Sequence, residues 1–304
     1  MKTIKITKTE IGGLLLLGFA CIFCSCSTFS NLASFASGSV NNDIVRSVSA
    51  SGKAIASAAE TITPEQEYYI GRAVAGSILT KYSLRDSAAV QDYLNKICRA
   101  MAANSDGADV YKGYFVAVLN TDEVNAFATP SGHILVSRGL LACAKSEDAL
   151  AAVIAHEMSH IQLKHSVKAI KASRATSAIV KTAGSAASIA VNKSELTELV
   201  NGFGDSVNEI VSTLVDSGYS KSQEFEADEN ALKLMAAAGY DVNAMNDMLL
   251  LLKEKQAGQK AGFSKTHPTP DDRIKKLKKK YSNYSLYSDR SLRNARFTAA
   301  MKSL

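Results

Sequence analysis

Residues 156–160, with the sequence HEMSH, place two histidines four positions apart in a stretch that favours an α-helix. Residues 147–155 before them are rich in helix formers and contain neither Gly nor Pro. Since residues four apart share a helix face, His156 and His160 can offer imidazole nitrogens to one metal ion. Glu157 lies one position further round, where its carboxylate can reach a water molecule on that metal without being a ligand. The pattern predicts a zinc site of the peptidase type.

A catalytic zinc site usually takes a third protein ligand, which must come from elsewhere in the chain. His165 lies about 180° around a continuous helix from His156, so we expect it at the surface or at the helix end, not on the metal. Residues 222–228, SQEFEAD, place Glu224 and Asp228 on one face of a second helix. We predict Glu224 as the third ligand and Asp228 as the acceptor of a hydrogen bond from a ligand imidazole. The alternative is a solvated acidic helix face.

Composition excludes some classes of function. The 304 residues are 46% hydrophobic, which is enough for one large domain. The net charge of +6 is too small to indicate binding to nucleic acid. The basic residues within 275–280 are expected to form the solvated face of a helix.

The amino-terminal residues predict export. A basic start and an apolar stretch of about 15 residues are typical of a signal peptide covering residues 1–26. Cys26 lies between two serines and resembles the lipidated cysteine of a bacterial lipoprotein; simple secretion and an uncleaved anchor are the alternatives. Residues 27–62 are Ser- and Ala-rich and predict a tether. We therefore expect an envelope protein that faces the periplasm and is lipid-anchored to a membrane. For Cys98 and Cys143, buried free thiols are favoured over a disulfide.

Secondary-structure patterns predict an α+β fold in which a small sheet lies against the HEMSH helix. Thr63-Pro64 begins a helix that extends to about residue 81, and a second helix covers residues 87–104. Strand patterns occupy residues 113–119, 126–128 and 133–136. Nearly everything after residue 138 is expected to be helical, including 146–165. We assign the folded domain to 63–281 and a C-terminal tail to 282–304.

Taken together, the motifs resemble a known family. HExxH followed some sixty residues later by ExxAD is similar to the gluzincin metallopeptidases of the HtpX and BepA/LoiP type, which are relatives of the CAAX prenyl protease. Further similar stretches extend the likeness over about residues 64–281: residues 90–94 (VQDYL), 125–134 (NAFATPSGHI), 137–141 (SRGLL), and His267-Pro268 followed by Arg273.

The resemblance implies one zinc ion per chain, held by three residues: His156, His160 and Glu224. It implies that Glu157 is catalytic and that Asp228 supports a ligand. It also implies that His267 and Arg273 lie near the site, facing the metal or the developing charge on the substrate. The function expected is an endopeptidase for unfolded or misassembled envelope proteins. The alternative is an envelope chaperone or assembly factor with latent or minor proteolysis.

The expected mechanism uses a zinc-bound water molecule that Glu157 activates as a general base. His267 or Arg273 would stabilise the oxyanion. Residues 133–136 are suited to an exposed strand that pairs with an extended protein substrate, although an ordinary core strand is nearly as good an interpretation.

Overall fold

The computed structural model describes residues 62–105, 110–169, 204, 207–256, 267, 270–284 and 290–304. All of them belong to one compact unit formed by residues 60–174 and 191–304. The predicted signal peptide, Cys26, the tether as far as residue 61 and the Ala/Ser-rich stretch 172–192 lie outside the described residues. None of the described helices is both long and apolar enough to span a membrane.

Among the described residues, eight α-helices and three strands carry the core and the site, and residues 165–169 and 207–212 are also helical. The helices are α1 Pro64–Leu79, α2 Ala88–Ala103, α3 Arg138–Cys143, α4 Glu147–Gln162, α5 Lys221–Ala237, α6 Ala244–Gln256, α7 Pro270–Leu277 and α8 Ser291–Met301. The strands are β1 Phe115–Leu119, β2 Ala126–Ala128 and β3 His133–Ser137.

Local sequence explains where the helices begin. Thr63 and Gln66 form a capping box at the start of α1, with Pro64 in the first turn. The Ser146 side chain accepts from the backbone N–H of Ala149 and starts α4. Ser220 and Gln223 form a second capping box, which fixes the first turn of α5. The two helices expected to carry the metal ligands are therefore both anchored by serine caps.

The sheet has the strand order β1-β3-β2, with β3 parallel to β1 and antiparallel to β2. Apolar side chains cover both of its faces. On one face Ile134 and Val136 pack into the larger core, which contains α2, α4 and α5. On the other face Leu135 and Phe127 pack with side chains of α1. A strand buried on both sides is the expected outcome for the continuous apolar run of β3.

Helix α4 is the centre of the molecule, since every residue from Glu147 to Ile161 is buried. It packs against α5, α6, α2, α8 and the sheet. Two carboxylates occupy its first turn, where the helix dipole favours negative charge. Both are paired with arginines of α8: Glu147 with Arg296, and Asp148 with Arg293. The sequence motif thus lies on a helix with no solvent-facing side.

The architecture predicted from the sequence is confirmed: the chain is mostly helical, with a small sheet against the HEMSH helix. The helix ends were predicted less accurately, since α4 ends at Gln162 and not near residue 165. Cys98 and Cys143 are both free, and Cys98 is buried with its Sγ atom 3.6 Å from Sδ of Met158. The described part of the C-terminal tail contains α8, which packs on α4 and α2.

Candidate metal centre

Four buried side chains from three parts of the chain converge beside α4. The Nε2 atoms of His156 and His160 lie 3.1 Å apart. Glu224 on α5 points its carboxylate between them, with each oxygen 3.4 Å from one of these nitrogens. His267 places Nδ1 2.8 Å from both oxygens of Glu224. One donor atom from each of the four lies within 4.8 Å of the others. The structure thus brings the three predicted ligands together.

The outer nitrogen of His156 meets a carboxylate. Its Nδ1 lies 3.0 Å from Oδ1 of Asp228, the residue one turn after Glu224 on α5. Arg273 on α7 donates to the same carboxylate from Nε at 2.8 Å and from Nη2 at 2.5 Å. The charged Asp228 oxygen is the better acceptor for an N–H of His156, so the lone pair of the ring is on Nε2, facing Glu224.

Arg273 is therefore near the site, as the resemblance implied, but it is buried behind Asp228. Arg273 is 1% exposed, and its guanidinium contacts Asp228, His156 and Glu224. Such a guanidinium orients a carboxylate, and a bidentate pair fixes that orientation well. The geometry favours a positioning role over contact with a substrate.

The region after α4 differs from the sequence-based prediction. Lys164 has a left-handed backbone, with φ of 55°, which turns the chain at the helix end. His165 consequently points back toward the site, with its Nδ1 2.9 Å from Nδ1 of His160. It lies at a helix end as expected, but a surface position was wrong, because its side chain is fully buried. Sequence analysis also missed Tyr219, whose ring stacks on His160 at a centroid separation of 4.1 Å.

Glu157 lies beside the four converging side chains and is 2% exposed. Its Oε1 atom has no hydrogen-bond partner among the described residues. The carboxyl borders a small cavity that is partly open to solvent. Other residues that line the cavity are Ala126, Ala128, Leu214, Tyr219 and His267. A buried carboxylate without a partner is costly, and its persistence next to a cavity is typical of a catalytic group.

Electrostatics separates the roles of the two carboxylates. Burial raises the pKa of Glu157, only partly opposed by His156 and His267, which makes its carboxylate a stronger base. Burial alone would also raise the pKa of Glu224, but His267, His156 and His160 hold it well below its usual value. Glu224 is therefore ionised, in the form that binds a cation.

The two histidines of the motif differ in charge. Burial lowers the pKa of His160 to about 3, so this imidazole is neutral. Burial and Arg273 would lower the pKa of His156 as well, but hydrogen bonds to Asp228 and Glu224 raise it to about 9. Metals bind neutral imidazole, so binding at His156 releases a proton.

The donor set fits a divalent metal ion. Two imidazole nitrogens and one carboxylate are the ligands of a catalytic zinc site, and all three side chains are buried here with a donor atom of each within 4.8 Å of the others.

The strand expected to pair with a substrate is not an edge strand. We considered residues 133–136 for that role, but β3 lies between β1 and β2, so its backbone is used on both sides. Strand order is set by tertiary structure, and a local apolar pattern does not report it. Strand β2 instead lies at an edge among the described residues and borders the cavity at Glu157.

Comparisons with known proteins agree with this geometry. The profile of Peptidase family M48 matches residues 88–281. The putative beta-barrel assembly-enhancing protease of Vibrio cholerae is 26% identical over 75% of this chain and 46% of its own length. The mitochondrial metalloendopeptidase OMA1 of Schizosaccharomyces pombe is 33% identical over 61% of this chain and 51% of its own length. Metalloprotease LoiP of Escherichia coli is 29% identical over 62% of this chain and 69% of its own length.

The alignments with the first two of these relatives span about half of each relative's length. The family profile, in contrast, covers more than half of the present chain and includes every residue of the converging cluster. The resemblance inferred from the motifs is therefore confirmed, and the chain belongs to Peptidase family M48, a family of gluzincin metallopeptidases.

Proposed function

We propose that this chain is a zinc-dependent endopeptidase of the bacterial cell envelope that hydrolyses peptide bonds in unfolded or misassembled envelope proteins. One observation carries the proposal: two imidazoles and a carboxylate converge next to Glu157, whose Oε1 atom has no hydrogen-bond partner among the described residues. Family membership supports the reaction class. The name of the first relative, a beta-barrel assembly-enhancing protease, supports envelope proteins as the substrates.

The predicted signal peptide and Cys26 support the location. We infer that the folded part of the chain faces the periplasm and is held to a membrane by a lipid on Cys26. Mass spectrometry of the mature amino terminus distinguishes a lipidated cysteine from a secreted or uncleaved form.

In this mechanism His156, His160 and Glu224 hold the zinc ion, and Asp228 fixes the ring of His156. When bound, zinc would supply Lewis-acid chemistry that activates the attacking water and polarises the scissile carbonyl. Glu157 removes a proton from the attacking water as the oxygen adds to the carbonyl carbon. The same carboxyl then delivers that proton to the amine as the C–N bond breaks.

Strand β2 is suited to hold an extended substrate. Its ladder with β3 pairs Phe127 with Leu135, which turns the backbone groups of Ala126 and Ala128 away from β3. The N–H of Ala126 is already bonded to Oδ1 of Asn125, so a substrate would use the remaining groups of this edge. That edge borders the cavity containing Glu157. A substrate backbone added there would depend little on side-chain identity, as expected for an enzyme that acts on unfolded chains.

Removal of the metal tests the proposal. We expect one zinc ion per chain in the purified protein, cleavage of a reduced and alkylated protein that lacks a fold, and loss of cleavage to background after chelation. One equivalent of Zn²⁺ should restore the rate, because the ligands are already together. Elemental analysis and a cleavage assay measure these quantities. Cleavage that persists in fully metal-free protein would contradict the proposal.

A second candidate function is a chaperone or assembly factor in which proteolysis is latent or minor. His267 favours it, because its Nδ1 lies 2.8 Å from both oxygens of Glu224 and completes a group of four potential metal ligands with His156 and His160. A catalytic zinc site keeps one position for water or substrate, whereas a site with four protein ligands is closed. A histidine in that position would hold the enzyme inactive until it leaves.

The substitution His267→Ala separates these functions. If His267 is such a latch, the cleavage rate should exceed that of wild type, because removal of a fourth donor opens one position. His133→Ala, at a half-buried histidine outside the group, is the matched control and should change little. An unchanged rate in His267→Ala argues against a latch, and a lower rate would place His267 among the groups that stabilise the oxyanion.

A further inference from the structure

The outer nitrogens of the two motif histidines have different partners. Nδ1 of His156 faces the carboxylate of Asp228 at 3.0 Å. Nδ1 of His160 faces Nδ1 of His165 at 2.9 Å. Histidines that bind metals almost always donate their second N–H to an acceptor, which fixes the tautomer and the ring orientation. His165 therefore occupies, for one ligand, the place that Asp228 occupies for the other.

The backbone after α4 builds this contact. The left-handed conformation of Lys164 reverses the direction in which the next side chain points. His165 is thereby fully buried, although it lies outside the helix that carries its partner. Its second nitrogen, Nε2, is 3.4 Å from Oε2 of Glu226 on α5. The side chain of Glu226 is 55% exposed, so this carboxylate remains in contact with solvent.

The proton positions follow from the geometry. Nε2 of His160 faces Nε2 of His156 and the carboxylate of Glu224, so its lone pair must be free for a metal. The proton of His160 is then on Nδ1 and is donated to His165. Since neutral imidazole carries one N–H, His165 accepts at Nδ1 and donates from Nε2 toward Glu226. Each ring nitrogen of His160 and His165 is thus either a donor or an acceptor, and no two donors face each other.

A second contact restrains the same ring. Tyr219 stacks on His160 with an interplanar angle of 16°. Its hydroxyl lies 2.8 Å from Oγ of Ser166, the residue after His165. The segment 165–166 thus fixes His160 both by a hydrogen bond in the plane of the ring and through the tyrosine that covers its face.

We propose that His165 is a positioning residue for the metal centre: it accepts the Nδ1–H of His160, is itself held by Glu226, and so keeps Nε2 of His160 directed at the metal. This inference rests on the proposed zinc site. His165, to which it gives a role there, lies outside the HExxH and ExxAD motifs. His165 does not touch the metal or the substrate.

Two substitutions distinguish acceptance of a hydrogen bond from packing. His165→Phe keeps a planar ring and removes the acceptor, and we expect zinc affinity, measured by competition with a chelator, to fall about 10–100-fold. His165→Asn places an amide oxygen near the position of Nδ1 and should recover most of that affinity. His133→Phe, at a histidine outside the converging group, is the matched control and should bind zinc like wild type.

A measurement on the unaltered protein makes the test independent of variant folding. In zinc-loaded protein, ¹⁵N NMR of the imidazoles should show the proton of His160 on Nδ1 and that of His165 on Nε2. The reverse tautomer at either ring, or equal zinc affinity in wild type and His165→Phe, would overturn the inference. A protein that binds no zinc at all would instead overturn the proposed function, so the two failures are distinguishable.

Discussion

The substitution Glu157→Gln should abolish peptide hydrolysis while the protein keeps its metal. Glutamine has nearly the same shape but cannot accept a proton from water, and loss of a general base costs about 10²–10⁴-fold in kcat. Glu157 is outside the group of donors formed by His156, His160, Glu224 and His267, so zinc content should not change. Steady-state cleavage of an unfolded protein and elemental analysis provide the two readouts.

Stability gives an additional check on Glu157→Gln. The wild-type carboxyl is buried with a raised pKa, which means that burial disfavours its charged form. A neutral amide avoids that cost, so the unfolding temperature should not fall. Glu229→Gln, at a partly buried carboxylate of α5 paired with Lys280, is the matched control and should retain full activity. Wild-type rates in Glu157→Gln with full metal content would exclude this residue as the base.

Among these substitutions, Arg273→Met should cause the largest loss in the free energy of unfolding. Arg273 and Asp228 form a buried, doubly hydrogen-bonded ion pair. Removal of one member of such a pair leaves an uncompensated buried charge and costs about 3–5 kcal/mol. Denaturant unfolding of the metal-free protein measures this change. Lys253→Met, which breaks an exposed pair with Asp271, should cost less than about 1 kcal/mol.

A double variant tests the positioning role of Arg273. In Arg273→Met/Asp228→Asn no buried carboxylate is left without its guanidinium, so part of the lost stability should return. A double-mutant cycle with the two single variants measures the coupling between the residues. Zinc affinity should fall in the single variant, because Asp228 no longer holds Nδ1 of His156 firmly. If Arg273→Met instead lowers kcat alone, with stability and zinc affinity intact, the guanidinium acts on the substrate.

The parts of the site that lie on one helix were predictable from sequence. Residues four apart share a face on any α-helix, so the relation between His156 and His160, and that between Glu224 and Asp228, required no tertiary information. The meeting of these two helices was a stronger inference. It depended on the need of a zinc site for a third ligand, and the structure brings Glu224 to that position.

The errors arise where the backbone departs from regular geometry or where distant strands associate. The surface position expected for His165 required a helix that continues past Gln162. Lys164 instead turns the chain there and changes the direction of the next side chain. The role considered for β3 required knowledge of strand order, which places β2 after β1 in sequence but beyond β3 in space. Tyr219 precedes the cap of α5 and has no periodic signal at all.

The pairing of α8 with the first turn of α4 has a consequence for biosynthesis. In the part of the chain that the structure describes, the cations that pair with Glu147 and Asp148 are Arg296 and Arg293, both translated after Arg273. A nascent chain that has already emerged through Arg273 therefore lacks the counter-ions for the amino end of its central helix. The buried acids at the amino end of α4 therefore gain these partners only after the last described helix has been synthesised and has packed against α4.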